Sequence, residues 1–106
     1  MSREITCNQF FDGDILHGSR RIVVSDQGLV ESIDEHVGDS EYPVVCPGFV
    51  DIQMNGFENV HVSTASTEDL VRLDQWMLER GTTSWLGTLV TAPLEKMSAS
   101  LAPLND

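Results

Sequence analysis

Basic residues are scarce in this sequence: 6 Lys and Arg oppose 17 Asp and Glu among 106 residues, for a formal net charge of −11. A surface of that sign repels nucleic-acid phosphates and anionic lipid headgroups, so we expect neither a nucleic-acid partner nor a membrane-surface partner. No apolar run reaches the length of a transmembrane helix. Residues 1–9 are polar and contain no apolar signal core. These absences predict a cytoplasmic protein.

Residues that usually build metal or nucleophile motifs are also few. The two cysteines, Cys7 and Cys46, form no C-x-x-C pair, which argues against a zinc framework and, in a reducing cytosol, against a disulfide. The three histidines, His17, His36 and His61, are not spaced as a local metal pair, and we interpret them as incidental. The chain has no Walker loop, no G-x-G-x-x-G and no G-x-S-x-G.

The first part of the chain, residues 1–45, reads as short strands separated by tight turns. Asp12-Gly13 is a hairpin-type dipeptide, and Gly18-Ser19 marks a second break. Residues 21–24 are β-branched apart from Arg21, and residues 29–33 alternate in polarity, which favours strands. Residues 34–42 are acidic and irregular, so we expect a loop there. The pattern predicts a β-meander.

The second part, residues 46–106, changes to a strand–helix–strand–helix rhythm. Residues 46–55 are largely apolar, and residues 82–91 are rich in Thr, Trp, Leu and Val, so both predict strands. Because a helix separates them, we expect the two strands to be parallel. A shorter second helix is predicted over 94–101, after Pro93. The fold class predicted is α/β.

The predicted helix over 66–80 has clear signals at both ends. Ser66 is a favourable N-cap residue, and Asp69 stands three residues later, where it can complete a capping box. Leu73 and Met77 recur at helical spacing. Gly81 is a natural residue to end the helix. Trp76 and Trp85 are predicted to pack in the core between this helix and the second strand.

The segment 47–56 is the one that points to chemistry. Alternation along a strand places Phe49, Asp51, Gln53 and Asn55 on one face and Val50, Ile52 and Met54 on the other. We expect the apolar face to pack on helices and the polar face to open into a site at the C-terminal end of the strand.

Gln53 and Asn55 would stand at that end and orient a polar substrate or an ordered water through their amide groups. Gly56 would allow a sharp turn or the close approach of a ligand. The alternative is that both amides only satisfy backbone groups where the strand ends. Asp51 lies deeper in the strand, and we interpret it as structural.

Several stretches resemble one family. Pro47-Gly48-Phe49-Val50-Asp51 resembles the motif that opens the barrel of the amidohydrolase superfamily, in which most members continue into His-x-His. Here the corresponding residues are Gln53-Met54-Asn55 followed by Gly56, which resembles the N-acetylglucosamine-6-phosphate deacetylases. Residues 81–91 resemble that family's second barrel strand, with Gly87 where Pro is more usual. Phe11-Asp12-Gly13 and the strands after it resemble its N-terminal β segment.

The resemblance implies a fold that is only partly present. Residues 1–45 would be an N-terminal β segment, part of a small β-sandwich domain. Residues 46–106 would be strand 1, helix 1, strand 2 and the start of helix 2 of a (β/α)8 metal-dependent hydrolase barrel. The chain would then be an N-terminal fragment, which we expect to self-associate or form homo-oligomers through its open strand edges.

The resemblance also implies an activity and a site. The family hydrolyses the N-acetyl group of an amino-sugar phosphate to give glucosamine-6-phosphate and acetate. A divalent metal ion, with zinc the expected one, polarises the amide carbonyl and activates a water. A Glu and two His from later strands hold that ion, and a late-strand Asp moves the protons. Gln53, Asn55 and Gly56 would line the active site, with no catalytic residue and no metal ligand among the 106 residues.

Two other interpretations remain open. The chain could belong to another amidohydrolase with a degenerate first strand. It could instead be a non-catalytic β-rich module for binding or assembly that kept the opening of the fold. The preferred hypothesis predicts that the 106 residues alone are inactive, because amide hydrolysis by this route needs the absent ligands.

Overall fold

The computed structural model describes residues 1–104, and the chain forms two compact units, Met1–Pro47 and the residues from Gly48 onward. Most of the regular structure is β-strand. The strands of the first unit are β1 (Arg3–Phe11), β2 (Leu16–His17), β3 (Arg20–Val24), β4 (Val30–Glu35) and β5 (Tyr42–Val45).

Antiparallel pairing organises β1 to β4, as the meander pattern predicts. β1 pairs with β2 and β3, and β3 pairs with β4. Phe10 faces His17 and Cys7 faces Arg20, so β2 and β3 keep one register against β1 on both sides of the break at Gly18. The buried side chains of this sheet are Cys7 and Ile22.

The strand β5 departs from the prediction, because it pairs parallel with β1 and brings Cys7 opposite Tyr42. The sequence pattern assigned residues up to Tyr42 to a loop and began the next strand only at Cys46, which was wrong. Pro43 lies inside β5 and weakens its strand signal. Proline is nevertheless tolerated on an edge strand, where a ladder N–H is not required.

The turn between β1 and β2 is held by Asp12. Its Oδ1 accepts the backbone N–H groups of Asp14 (2.8 Å) and Ile15 (2.7 Å), and its Oδ2 lies 2.7 Å from Nε2 of His17. Gly13 has φ 106°, a conformation that glycine adopts at little cost. The hydrogen bond with His17, followed by those from Ile15 and Asp14, lowers the pKa of Asp12 to about 2.

The hydrogen bonds of the Asp12 carboxylate should make the stability of the folded chain depend on pH. The pKa of Asp12 is lower in the folded protein than the value of about 3.9 in an unfolded chain. The ionised carboxylate therefore stabilises the folded state fully above about pH 4, and the stabilisation is lost as the pH falls toward the folded pKa. We expect the difference in thermal midpoint between the native chain and Asp12→Asn to shrink between pH 5 and pH 2.

Circular dichroism melts at half-unit pH intervals would measure that difference. Asp14→Asn is the matched control, since within the described residues the Asp14 carboxylate makes no hydrogen bond. A difference for Asp12→Asn that stays constant over this pH range would contradict the prediction.

The second unit contains a parallel strand pair and a crossing helix. Its elements are β6 (Phe49–Met54), β7 (Gly56–Phe57), β8 (Val60–His61), a 3-10 helix (Val62–Thr64), α1 (Thr67–Glu79), β9 (Thr82–Gly87), α2 (Leu94–Ser100) and a second 3-10 helix (Ala102–Leu104). β6 and β9 are parallel, with Phe49 opposite Thr82 and Met54 opposite Gly87. The predicted parallel pairing is confirmed, although β9 ends four residues before Thr91.

Residues 55–65 connect β6 to α1, and they contain more structure than the simple loop expected between a strand and a helix. β7 and β8 form a small antiparallel hairpin, with Gly56 opposite His61, and a turn of 3-10 helix follows. Strands of two residues are too short to leave any periodic pattern, so the sequence could not indicate them. The hairpin places Val60 and Val62 in the core.

In the second unit, one hydrophobic cluster lies between α1 and the strands. The buried side chains are Met54, Val60, Val62, Ala65, Leu73 and Met77. Trp76 and Trp85 are partly buried against this cluster, which confirms their predicted core role. The Nε1–H of Trp85 donates to Oδ1 of Asp74 at 3.0 Å.

The predicted apolar face of β6 is covered only at its end. Met54 is 5% exposed, whereas Val50 is 66% and Ile52 is 76% exposed. The pairing of β6 with β9 shifts register between Asp51 and Met54, so simple alternation does not hold along the strand. Val50 and Ile52 are thus uncovered among the described residues, as the fragment hypothesis predicts, and the packing of this face on helices stays a prediction for a complete barrel.

The helix α1 begins with the predicted capping box. Oγ of Ser66 accepts the N–H of Asp69 (3.2 Å), and Oδ2 of Asp69 accepts the N–H of Ser66 (3.0 Å). Arg72 also binds the Asp69 carboxylate. The N–H of Ser66 and then the Arg72 side chain lower the pKa of Asp69. Gly81, with φ 87°, follows the last residues of the helix as predicted.

Removing the cap should destabilise the second unit measurably. Ser66→Ala deletes the acceptor for the Asp69 N–H and should cost about 1 kcal/mol in the free energy of unfolding. Thr67→Ala is the control, because Thr67 is exposed and lies one position inside the helix. Urea unfolding followed by tryptophan fluorescence would report both values, and equal losses for the two variants would count against the capping box.

No helix in residues 1–104 is long and apolar enough to cross a membrane.

Candidate functional site

The carboxyl ends of β6 and β9 meet at one edge, and two polar side chains bond there. Asn55 directly follows β6, and Thr88 directly follows β9. The Thr88 hydroxyl donates to Oδ1 of Asn55. The backbone N–H of Thr88 donates to the Met54 carbonyl at 2.9 Å, and the Asn55 carbonyl accepts the N–H of Val62 at 2.9 Å. The backbone on both sides of the Asn55–Thr88 contact is therefore constrained.

Gln53 lies beside this pair and is exposed. Its backbone N–H donates to Oδ1 of Asp51 at 2.9 Å, so that carboxylate is engaged by the backbone of its own strand, and the structural role of Asp51 stays a prediction. Within the described part of the chain, the Gln53 side chain makes no hydrogen bond. Gln53, Asn55 and Thr88 all line one open pocket of about 510 Å³. The amides of Gln53 and Asn55 are thus available to a ligand at this edge.

Gly56 is the first residue of β7, and its Cα lies close to the backbone of β8. A Cβ atom at this position would lie 2.3 Å from the Val60 carbonyl oxygen and 3.1 Å from Cα of His61. Only glycine permits this approach without moving the backbone. The close approach places Gly56 and His61 beside Asn55 in a second open pocket of about 630 Å³.

Thr88 is the site residue that sequence reasoning did not single out. It lay inside the segment predicted as a strand, whereas β9 ends at Gly87. A signal was present: the rule that placed Asn55 at the mouth of strand 1 applies equally to a polar residue at the end of the neighbouring parallel strand. His61 also lines the site. Its place after Gly56, between strand 1 and helix 1, predicted a position near the mouth of a barrel, although no functional role was assigned to it.

The residues at this edge do not fit a metal ion. Gln53 and Asn55 are neutral amides, which are poor ligands for zinc beside imidazole, thiolate or carboxylate. Among residues 1–104, no group of three or more His, Cys, Asp and Glu side chains could hold a metal. His17 is paired with Asp12, and Nε2 of His36 lies 2.9 Å from the Asp39 carbonyl oxygen.

The curated proteins that the chain resembles in sequence are sugar-phosphate deacetylases. The chain is 33% identical over 85 residues, 77% of its length, to an N-acetylglucosamine-6-phosphate deacetylase from Danio rerio. The resemblance to the N-acetylglucosamine-6-phosphate deacetylases is confirmed. An Escherichia coli O157:H7 N-acetylgalactosamine-6-phosphate deacetylase is 32% identical over 68% of the chain, and a Vibrio furnissii N-acetylglucosamine-6-phosphate deacetylase is 25% identical over 83%. No family model matches the chain.

The fold of this chain also matches parts of solved structures. An N-acetyl-D-glucosamine-6-phosphate deacetylase mutant from Mycobacterium smegmatis, in complex with N-acetyl-D-glucosamine-6-phosphate, matches 97% of the chain with a TM-score of 0.78 and 20% identity. A second structure of the deacetylase from that organism matches 95% with a TM-score of 0.71 and 22% identity. The chain covers 28% and 30% of these structures. It spans 20%, 19% and 25% of the three curated relatives.

Proposed function

We propose that this chain supplies the opening strands of the catalytic barrel of an N-acetylglucosamine-6-phosphate deacetylase. The observation that carries the proposal is the edge where parallel β6 and β9 end, with Gln53 and Asn55 on one pocket, in a chain whose curated relatives are deacetylases. In this proposal residues 1–45 belong to a small β-sandwich domain, and residues 46–106 form strand 1, helix 1, strand 2 and the start of helix 2 of a (β/α)8 barrel.

The chain's own residues would bind and orient the substrate. An amide side chain offers one carbonyl acceptor and two N–H donors, so Gln53 and Asn55 suit the hydroxyl and acetamide groups of an amino sugar. Gly56 would keep the mouth open, because any side chain there would meet the Val60 carbonyl. Orienting the acetamide is a contribution to catalysis that needs no ionisable group at this edge.

The divalent metal that the family uses, zinc by expectation, is assigned to residues outside these 106. When bound, such an ion polarises the amide carbonyl and lowers the pKa of a water. Because Gln53 and Asn55 do not fit a metal, Gln53→Ala and Asn55→Ala should lower turnover without lowering the metal content of the whole enzyme. The proposal places the protein in the cytoplasm, with homo-oligomers formed through the open edges of its strands.

One specific observation favours a second candidate substrate. The Escherichia coli relative is an N-acetylgalactosamine-6-phosphate deacetylase, at 32% identity close to the 33% of the Danio rerio protein. The two sugars differ only in the configuration of one hydroxyl group. N-acetylgalactosamine-6-phosphate is therefore the second candidate substrate, and both belong in every assay.

A chimera would test the proposal. The 106 residues would replace the matching segment of the Danio rerio relative, and acetate release would be measured on both sugar phosphates with added Zn²⁺. We expect turnover, reduced about tenfold to a hundredfold by Asn55→Ala, as for the loss of an orienting contact. The exposed Val71→Ala on α1 is the control that should leave turnover unchanged. A folded, metal-loaded chimera without turnover on either sugar would overturn the proposal.

The 106 residues alone provide the complementary measurement. We expect no acetate release from them and a concentration-dependent increase in light scattering, because exposed strand edges and apolar side chains such as Val50 and Ile52 favour pairing with another chain. Metal-dependent turnover by a monodisperse monomer would contradict both expectations.

A further inference from the structure

The hydrogen bond between Thr88 and Asn55 determines which end of the Asn55 amide is free. Oδ1 of Asn55 accepts the Thr88 hydroxyl. Within residues 1–104, Nδ2 of Asn55 has no hydrogen-bond partner, and Asn55 lines both open pockets at this edge. Oδ1 is already engaged by Thr88 and keeps one further lone pair, whereas both N–H groups of Nδ2 remain for a ligand, so the amide presents mainly its donor end.

The two residues are brought together by the backbone. Met54 pairs with Gly87 at the ends of the parallel strands. The residues that follow them, Asn55 and Thr88, are therefore neighbours. The Thr88 N–H donates to the Met54 carbonyl, and the Val62 N–H donates to the Asn55 carbonyl. These two bonds hold both main chains where the side chains must meet. Met54 and Val62 are buried, which makes the arrangement resistant to fluctuation.

We propose that Thr88 is a positioning residue that fixes the Asn55 amide with its NH₂ group toward the ligand, so that this edge recognises a neutral oxygen acceptor. The acceptor class is a carbonyl or hydroxyl oxygen of a carbohydrate, and this identification of the ligand rests on the proposed function. An amide that rotated freely would offer donor and acceptor equally and would discriminate less.

Nuclear magnetic resonance on the ¹⁵N-labelled 106-residue chain tests the positioning without any need for activity. Asn55→Ala identifies the Asn55 NH₂ signals by their disappearance. In the native chain we expect a high heteronuclear NOE at Nδ2, and a Thr88 hydroxyl proton that exchanges slowly at low temperature. Thr88→Val, which keeps the shape and removes the hydroxyl, should lower the NOE. Thr88→Ser should restore it.

The backbone amide signals of Val62 and Thr88 report whether the edge remains folded in each variant. An unchanged Asn55 NOE in a folded Thr88→Val chain would overturn the proposal, as would an equal loss in a folded Thr88→Ser chain. If Thr88→Val does not fold, the native chain decides: a Thr88 hydroxyl proton in fast exchange with water, beside a mobile Asn55 amide, refutes the positioning.

The chimera tests the consequence for recognition. Thr88→Val should reduce turnover about tenfold, with Thr88→Ser within about twofold of the parent, as expected for one hydrogen bond. Turnover unaffected by Thr88→Val would overturn the link between positioning and recognition. A parent chimera that folds and is inactive on both sugars counts against the proposed function, while the resonance experiment still decides the role of Thr88.

Discussion

Leu73→Ala is expected to destabilise the second unit by about 2–5 kcal/mol, the largest effect of any single substitution considered for this chain. Leu73 is 0% exposed and lies in the cluster that joins α1 to Met54 and the β7–β8 hairpin. Truncation removes the transfer free energy of the buried methyl groups and leaves a cavity, because the surrounding backbone relaxes only in part. Chemical unfolding followed by far-ultraviolet circular dichroism would measure the loss.

Leu78→Ala provides the matched control on the same helix. Leu78 is 60% exposed, so the same chemical change alters helix propensity equally and removes little buried surface. We expect it to change the free energy of unfolding by less than about 0.5 kcal/mol. Losses of similar size for the two leucines would show that α1 does not pack through Leu73 as the structure has it.

Gly56→Ala is expected to cost about 2–3 kcal/mol and to disturb the candidate site at the same time. The added Cβ would lie 2.3 Å from the Val60 carbonyl oxygen, a backbone atom that cannot move away without opening the hairpin. Because Val60 and Val62 are buried beyond that hairpin, the strain should spread into the core. Thermal unfolding would report the stability, and the amide signals of His61 and Val62 would report the local change.

Gly18→Ala is the comparison for Gly56→Ala. A Cβ at Gly18 would meet no atom within 4 Å, and its φ is not in the left-handed region. The same substitution there should be neutral or slightly stabilising, since alanine restricts the unfolded chain more than glycine does. A Gly56→Ala chain as stable as Gly18→Ala, with unchanged hairpin signals, would contradict the close approach.

The candidate site was partly predictable because strand direction alone decides where polar residues at strand ends gather. Alternation along residues 49–55 predicted Gln53 and Asn55 at the end of one strand, and the β–α–β rhythm predicted that β9 ends beside them because it runs parallel to β6. The same rule indicates a polar residue near the end of β9, but it does not select Thr88. That selection depends on β9 ending at Gly87 and on the register between β6 and β9, and neither has a signature in the sequence.

Several elements of this protein are determined by the local sequence alone. The Asp12-Gly13 turn, the capping box of Ser66 and Asp69 and the end of α1 at Gly81 all depend on interactions within a few residues, so composition and spacing suffice to predict them. The resemblance of residues 47–56 to the deacetylase motif likewise required only adjacent residues, and the curated relatives support it.

Only the tertiary structure decided the features that depend on distant pairing. The parallel return of β5 onto β1, the β7–β8 hairpin and the bond between Thr88 and Asn55 join parts of the chain whose separation leaves no periodic trace. Their free energy comes from packing and hydrogen bonds formed after the chain has folded back on itself, where a register shift of one residue changes which side chains meet. Local propensity carries no information about that register.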